Sequence, residues 1–406
     1  MRLLYLTPTA AMGGAERVLL DLLGMIGSAR PSWTIGLIVG NAGPLVEEAR
    51  RLGVATTVLS FPSGLAKLGD SGLLTPAQWL TFARHAAGGS LSTLEYARQL
   101  RAAIREFAPD ILHSNGIKMH VLGALMRPSG SALIWHFHDY PGARPITSRI
   151  IRSLRTRCSA VVAVSEHVAA DIRSELGSSI EIRTIWNSVN FSRFSPEGPR
   201  SDLDALSGLS PAAPGTIRIG LVATFARWKG HLLFLNMLSR LRPGRPFRGY
   251  IVGGPLYETD ASQVSMKELR DEVHRLGLEG RVGLTGFTDA ATALRSLDVV
   301  VHASTLPEPF GLVIAEAMTV GRAVVISGGG GIAELVTPGV TGLVYPTGDV
   351  ETLTRHVSGL VDDDEWRTRL GEAAHATALR QFRPDRMARS VLDLYSHLDA
   401  GHEAVA

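Results

Sequence analysis

A single cysteine, Cys158, stands in 406 residues, so no disulfide can form within the chain and no zinc site can be built from thiolates. That usage leads us to expect a cytoplasmic protein, with at most peripheral contact at the inner face of a membrane. No run approaches the roughly 18–20 consecutive apolar residues that a bilayer span needs, and Met1–Ala10 reads as a buried strand rather than a signal peptide. Aromatic residues make up only 6% and no nucleic-acid module motif appears, so nucleic acid is not an expected partner. Net charge is small as well, at +3, but it is unevenly spread. Residues 1–195 carry 20 Lys and Arg against 13 Asp and Glu, a net of +7, whereas residues 196–406 carry 21 against 25, a net of −4. An anionic partner or surface is therefore expected on the first half.

What the chain does have is a long series of short apolar runs with helical segments between them. In the first half these are Leu3–Leu6, Ile35–Val39, Ala55–Leu59, Ile111–His113, Leu133–Phe137, Val161–Val164 and Ile182–Ile185. Unbroken runs of that length, rich in Val and Ile and bounded by turn residues, predict strands buried on both faces of a parallel sheet. Residues 1–195 thus read as one doubly wound α/β domain. The Pro- and Ser-rich interval 196–215 reads as a linker. Residues 216–380 repeat the pattern, with strands predicted at Ile217–Val222, Tyr250–Val252, Val282–Leu284, Val299–Val301, Ala323–Ile326 and Leu343–Val344. In the tail, 381–406, Met387, Val391, Leu394 and Leu398 recur at helical spacing and should bury one face. Phe61–Ser90, rich in Gly, Ser and Leu, interrupts the first domain as an insertion of the kind that decorates a binding face.

Two loops carry candidate chemistry. The first strand runs through Thr7–Met12 into Gly13-Gly14-Ala15-Glu16 and a helix, which suits either a tight turn or a phosphate held on a helix N-terminus. In the second half, Glu308-Pro309-Phe310-Gly311-Leu312 is followed by Glu316, eight residues after the first glutamate. Carboxylates at that loop and in the second helical turn can accept hydrogen bonds from sugar or ribose hydroxyls. The backbone amides of Phe310, Gly311 and Leu312 can meet a phosphate.

These elements, together with Val164-Ser165-Glu166, Asn187-Ser188-Val189-Asn190, Trp228-Lys229-Gly230, Gly331-Ile332-Ala333-Glu334 and Gly342-Leu343-Val344, resemble the ordered motif series of glycosyltransferase family 4. The resemblance covers nearly the whole chain and is best over residues 217–346. It implies the GT-B fold: two Rossmann-like doubly wound domains facing a cleft, with the C-terminal helix crossing back to the first. It implies a retaining transferase, a nucleoside diphosphate sugar (UDP- or GDP-linked) as donor, and a glycan, lipid-linked or small-molecule hydroxyl as acceptor.

By motif, Glu316 would hold the ribose, Glu308 and the Pro309–Leu312 backbone the sugar, Gly14 (beside Gly13 on the acceptor side) the diphosphate, and Phe287 the base. The family places an Arg where this chain has Thr224; Lys229 falls in register, and Arg227, three residues on, either supplies the second charge from another turn of the loop or points into solvent. His138, in Ile134-Trp135-His136-Phe137-His138-Asp139, matches the family's histidine near the transferred sugar, with Asp139 beside it on the acceptor side. His113, His120 and His136 are possible neighbours without a carboxylate cluster, so no metal and no other cofactor is expected. Asp362-Asp363-Asp364 is read as a helix cap rather than a metal-binding Asp-x-Asp. Arg144, Arg149, Arg152, Arg155 and Arg157, around Ile150, Ile151 and Leu154, suit either a solvated helix face or a peripheral membrane contact. An epimerase or phosphorylase on the same fold, and a homologue that binds sugar nucleotides without catalysis, are the competing functions.

Overall fold

The computed structural model describes residues 1–62, 90–255 and 263–403, so the insertion expected at Phe61–Ser90 lies, from residue 63 to 89, outside the described residues. The chain divides into two units, Met1–Ser188 with Pro384–Ala406, and Val189–Arg383.

In the first unit, β1 (Arg2–Thr7), β2 (Thr34–Val39), β3 (Ala55–Val58), β4 (Ile111–Asn115), β5 (Ala132–Phe137), β6 (Ala160–Ala163) and β7 (Ile182–Thr184) form one parallel sheet in the order β3-β2-β1-β4-β5-β6-β7. Every residue of β4, β5 and β6 is buried, as a sheet covered on both faces requires. The intervening helices are α1 (Gly14–Ala29), α2 (Pro44–Arg51), α3 (Ser90–Phe107), α4 (Ile117–Met126), α5 (Pro145–Leu154) and α6 (Glu166–Leu176).

The second unit begins with the short α7 (Leu203–Leu206). It continues with β8 (Ile217–Val222), α8 (His231–Arg240), β9 (Phe247–Val252), α9 (Met266–Arg275), β10 (Val282–Gly286), α10 (Ala290–Arg295), β11 (Val299–His302), α11 (Leu312–Thr319), β12 (Ala323–Ser327), β13 (Leu343–Tyr345), α12 (Val350–Asp362) and α13 (Asp364–Gln381). Its sheet is again parallel, in the order β10-β9-β8-β11-β12-β13. The core lies between sheet and helices, from Ile219, Leu221, Phe234, Leu238, Ile251, Val299, Val325, Leu353 and Leu360. Both sheets are the Rossmann-like arrangement, and the strand runs read from the sequence are all strands here.

The segment expected as a linker is packed rather than free. Asp204 of α7 is 4% exposed and accepts from the Tyr250 hydroxyl at 2.6 Å, with Arg248 and Arg218 paired to it. Burial raises its pKa, but Tyr250 and Arg248 outweigh that and bring it down to about 2. Arg295, 5% exposed on α10, donates to the carbonyls of Ser195, Pro199 and Arg193. A buried Asp and a buried Arg fix chain of this composition as firmly as a longer helix would.

The tail is α14 (Pro384–Glu403), which belongs to the first unit. It buries Met387, Val391, Leu394 and Tyr395, packs beside α1, and joins its Tyr395 hydroxyl to that of Tyr5 at 2.6 Å.

Candidate active site

The strand order of the second unit reverses between β8 and β11, and in open parallel sheets ligands bind at the carboxyl ends of the strands at such a reversal. The loop leaving β8 ends at Gly230, whose φ is +73° and on which a Cβ would lie 1.8 Å from the carbonyl oxygen of Ala303, in the loop leaving β11. Only glycine permits that approach. The approach sets the residues on either side together. Lys229 Nζ is 2.7 Å from Glu308 Oε2, with the two side chains 23% and 16% exposed. The same oxygen is reached by His302 Nε2 at 3.3 Å and Ser304 Oγ at 3.2 Å.

Burial alone would raise the Glu308 pKa. The Lys229 charge and the His302 hydrogen bond outweigh it and hold the carboxyl well below the usual carboxylate range. Desolvation pushes His302 the other way, downward, despite Glu308 beside it. A carboxylate only accepts, so the neutral His302 ring donates from Nε2 and leaves Nδ1 to accept from Ser327 Oγ at 3.1 Å. The result is an ionised carboxylate and an ammonium held together in a partly covered loop pair.

Gly311, with φ +83°, starts α11, and a Cβ there would lie 2.6 Å from the Ile332 side chain. The ring of Phe310, 3% exposed, sits edge-on to Phe382 with centroids 6.0 Å apart, while Pro309 and Leu312 are half-buried. Glu316 is 8% exposed in the second turn of α11. Phe287, in the loop after β10, is 63% exposed and its ring lies so close over Gly254 that a Cβ there would meet it at 2.8 Å. Thr224 is half-buried. Arg227 is turned to α9, where it makes paired hydrogen bonds to Glu268 at 3.1 and 3.2 Å. The structure thus brings Lys229 and Glu308 together, and holds Arg227 on a different carboxylate.

In the first unit, Gly13 precedes α1 and its amide donates to Glu16 Oε2 at 3.2 Å, so this N-terminus is capped by its own carboxylate beside Gly14. Burial raises the Glu16 pKa, its backbone hydrogen bonds opposing. His138 follows β5; its Nε2 is 3.0 Å from Asn115 Oδ1, and its ring stacks on His136 with centroids 4.2 Å apart. Burial pushes the His138 pKa down to about 4. Asp139 pairs with Arg144 at 2.7 Å and accepts from the Tyr140 amide. The sequence reading missed His302, Ser304 and Asn115. A polar residue ending a buried apolar strand, as in Val299-Val300-Val301-His302, was the available signal.

Models of two families match the chain: "Glycosyltransferase Family 4" over residues 44–193 and "Glycosyl transferases group 1" over residues 216–363. The lipopolysaccharide core biosynthesis mannosyltransferase LpsB of Rhizobium meliloti is 30% identical over 248 residues, 60% of this chain and 66% of that protein. The chain belongs to the glycosyltransferases of the group 1, family 4 type. The lipopolysaccharide core biosynthesis glycosyltransferase LpsE of the same organism is 28% identical over 75% of this chain and 81% of its own. Among solved structures, Anabaena HepE in complex with UDP and glucose superposes with a TM-score of 0.80 at 24% identity, covering 98% of this chain and 100% of that one. The fold is GT-B.

A cavity of about 590 Å³ opens at the opposite, amino-terminal edge of the second sheet, lined by Arg242, Arg245, Arg248 and Arg281. There Arg248 pairs with Asp204, Arg245 with Asp364, and Arg242 donates to the last carbonyls around α8. Arg248 and Arg245 are thus already neutralised by carboxylates, and Arg242 complements a helix C-terminus, which repels anions. Asp363 caps α13 by accepting from the Trp366 amide at 2.8 Å, and Asp362 accepts from the Gly244 amide at 2.8 Å, so the Asp run caps a helix as read. Among the described residues no helix is long and apolar enough to cross a membrane.

Proposed function

We propose that this glycosyltransferase moves a hexosyl group from a UDP- or GDP-linked sugar to an acceptor hydroxyl with retention of anomeric configuration. The observation that carries the reading is the Lys229–Glu308 pair, backed by His302 and Ser304, at the β8/β11 reversal of the second sheet. Anabaena HepE has been solved with UDP and with UDP-glucose, which supports a uridine donor. In this reading Lys229 and the amides that start α11 neutralise the departing diphosphate. Glu308, Pro309, Phe310, Gly311 and Leu312 bind the sugar, Glu316 the ribose, and Phe287 the base. The anomeric C–O bond to phosphate breaks while the acceptor oxygen bonds to the same face of the anomeric carbon. The acceptor proton passes to the phosphate oxygen, so no second carboxylate nucleophile and no metal is required. His138, neutral, hydrogen-bonds a hydroxyl on the acceptor side, next to Gly13 and Asp139.

A thermal-shift panel of UDP-, GDP- and ADP-sugars should single out one nucleotide. Donor and acceptor together, with chelator present, should then yield nucleoside diphosphate and an α- or β-linked product matching the donor. Conversion of the donor alone to another free nucleotide sugar would instead show an epimerase. Binding without turnover across a broad acceptor panel would show a non-catalytic homologue.

We also propose a peripheral role for α5 in holding a lipid-linked acceptor. Ile146 and Ile150 are 42% and 44% exposed on it, with Arg149 between them, while Arg152 is paired with Glu175. Exposed Ile beside an exposed Arg suits the interface of an anionic bilayer. The protein should sediment with anionic but not zwitterionic vesicles, and Ile150→Asp should abolish this; equal sedimentation with both would exclude the role.

A further inference from the structure

One face of the first sheet carries a buried polar row that a plain core would not need. Tyr5 on β1 and His113 on β4 are register partners, and their rings stack with centroids 4.8 Å apart. His113 and Asn115 are two residues apart on β4 and Asn115 is the register partner of His136 on β5, so alternation puts these three on one face, and His138, just beyond β5, stacks on His136 on the same side. Tyr395, from the C-terminal helix α14, sets its hydroxyl 2.6 Å from His113 Nδ1 as well as from the Tyr5 hydroxyl. His113 Nε2 is 3.2 Å from His136 Nδ1, and the His136 ring is the floor beneath His138, 25° from parallel.

Tyr5, His113 and Tyr395 are fully buried and His136 is 2% exposed. Burial pushes His113 down to about 3, and His136 well below its ordinary value, so both rings are neutral at pH 7. Each neutral ring has one N–H and one lone pair. The Tyr395 hydroxyl can donate to or accept from Nδ1, so this contact holds the His113 ring in place, and His113 in turn holds His136 through Nε2. His136 Nε2 has no partner among the described residues, so nothing on that side of the ring holds its orientation. Buried polar groups in a row are retained at a cost in desolvation that Leu or Val would avoid. Conflict with plain core packing is most often found where function is carried.

We propose that Tyr395 is a positioning residue for His138. Through His113 and His136 it holds the His138 imidazole in one plane, while the Asn115 oxygen, which only accepts, keeps the proton on Nε2 and leaves Nδ1 as the acceptor for a substrate hydroxyl. This rests on the proposed role of His138, and ties the C-terminal helix to it.

Tyr395→Phe removes only the hydroxyl. In that variant kcat for transfer should fall about tenfold with the donor KM unchanged, as loosened orientation does. The ¹⁵N signals of the His138 ring, sharp in the parent, should shift and broaden as the His136 ring beneath it loses its fixed plane. Val391→Ala, on the buried face of the same helix, should lower the melting temperature yet leave kcat and the ¹⁵N signals as in the parent. Parent-like kcat and ¹⁵N signals in Tyr395→Phe would overturn the proposal, and so would equal changes in Val391→Ala. The two readouts separate the failures. Full transfer by His138→Ala removes the role of His138, while the ¹⁵N signals still report whether Tyr395 fixes the ring.

Discussion

Lys229→Ala is expected to lower kcat for sugar transfer by about 10³-fold, roughly the effect of removing one preorganised charge from a transition state. The reasoning starts from the pair. Lys229 and Glu308 lie 2.7 Å apart with less than a quarter of either side chain exposed, so the ammonium is fixed before any donor arrives. A leaving diphosphate gains negative charge as the anomeric bond breaks, and a cation already in place needs no reorganisation at that moment. Donor KM should change far less than kcat, because a bound diphosphate is already charged and is held by helix amides as well. The readout is release of nucleoside diphosphate under saturating donor, and turnover within a factor of two of the parent would sink the assignment.

The same substitution has a pH signature. Lys229 is a principal cause of the depressed Glu308 pKa, and a depressed carboxyl contributes stability that is present above its unfolded pKa and lost as pH falls through the folded value. Removing Lys229 raises the folded value toward the ordinary carboxylate range of about 4. The stability gap between parent and variant should be full at pH 7 and should close as acid protonates Glu308 in both. A gap that persists unchanged into acid would mean that packing of the Lys229 stem, not its charge, was lost.

How much of this was legible beforehand follows from which interactions are local in sequence. Strands such as Val161–Val164 and Val299–Val301 announce themselves, because a parallel strand buried on both faces reads as an unbroken apolar run. The Glu308–Glu316 element was legible for a similar reason, since its Pro, Gly and paired carboxylates fall within nine residues. Arg227 was not. Whether it faces Lys229 or α9 depends on Glu268, 41 residues away, and no pattern in the loop itself encodes that partner. The interval 196–215 looked like a tether because Pro and Ser dominate it, yet Asp204 finds Tyr250 and Arg248 only once β9 has formed. Tyr395 and His113 are 282 residues apart, so their hydrogen bond is a property of the fold alone.

Gly230→Ala should destabilise the second unit by about 4 kcal/mol, combining left-handed backbone strain with an overpacked contact. Gly230 has φ +73° and ψ 32° at the start of α8, a conformation alanine adopts only with strain. Its added Cβ would also lie 1.8 Å from the Ala303 carbonyl oxygen and 2.7 Å from the Ala303 carbonyl carbon. Neither atom belongs to a flexible side chain, so one of the two loops must move. Those loops carry Lys229 on one side and His302, Ser304 and Glu308 on the other, and the displacement should therefore separate the pair as well as weaken the fold. Gly277→Ala supplies the comparison, because Gly277 has φ +63° but no described atom within 4 Å of where its methyl group would stand. That variant should lose only the strain, about 1 kcal/mol. In urea the midpoint of Gly230→Ala should fall several times further than that of Gly277→Ala. Equal midpoints would show that the loops can part without penalty, and the close approach of Gly230 to Ala303 would no longer explain why Lys229 meets Glu308.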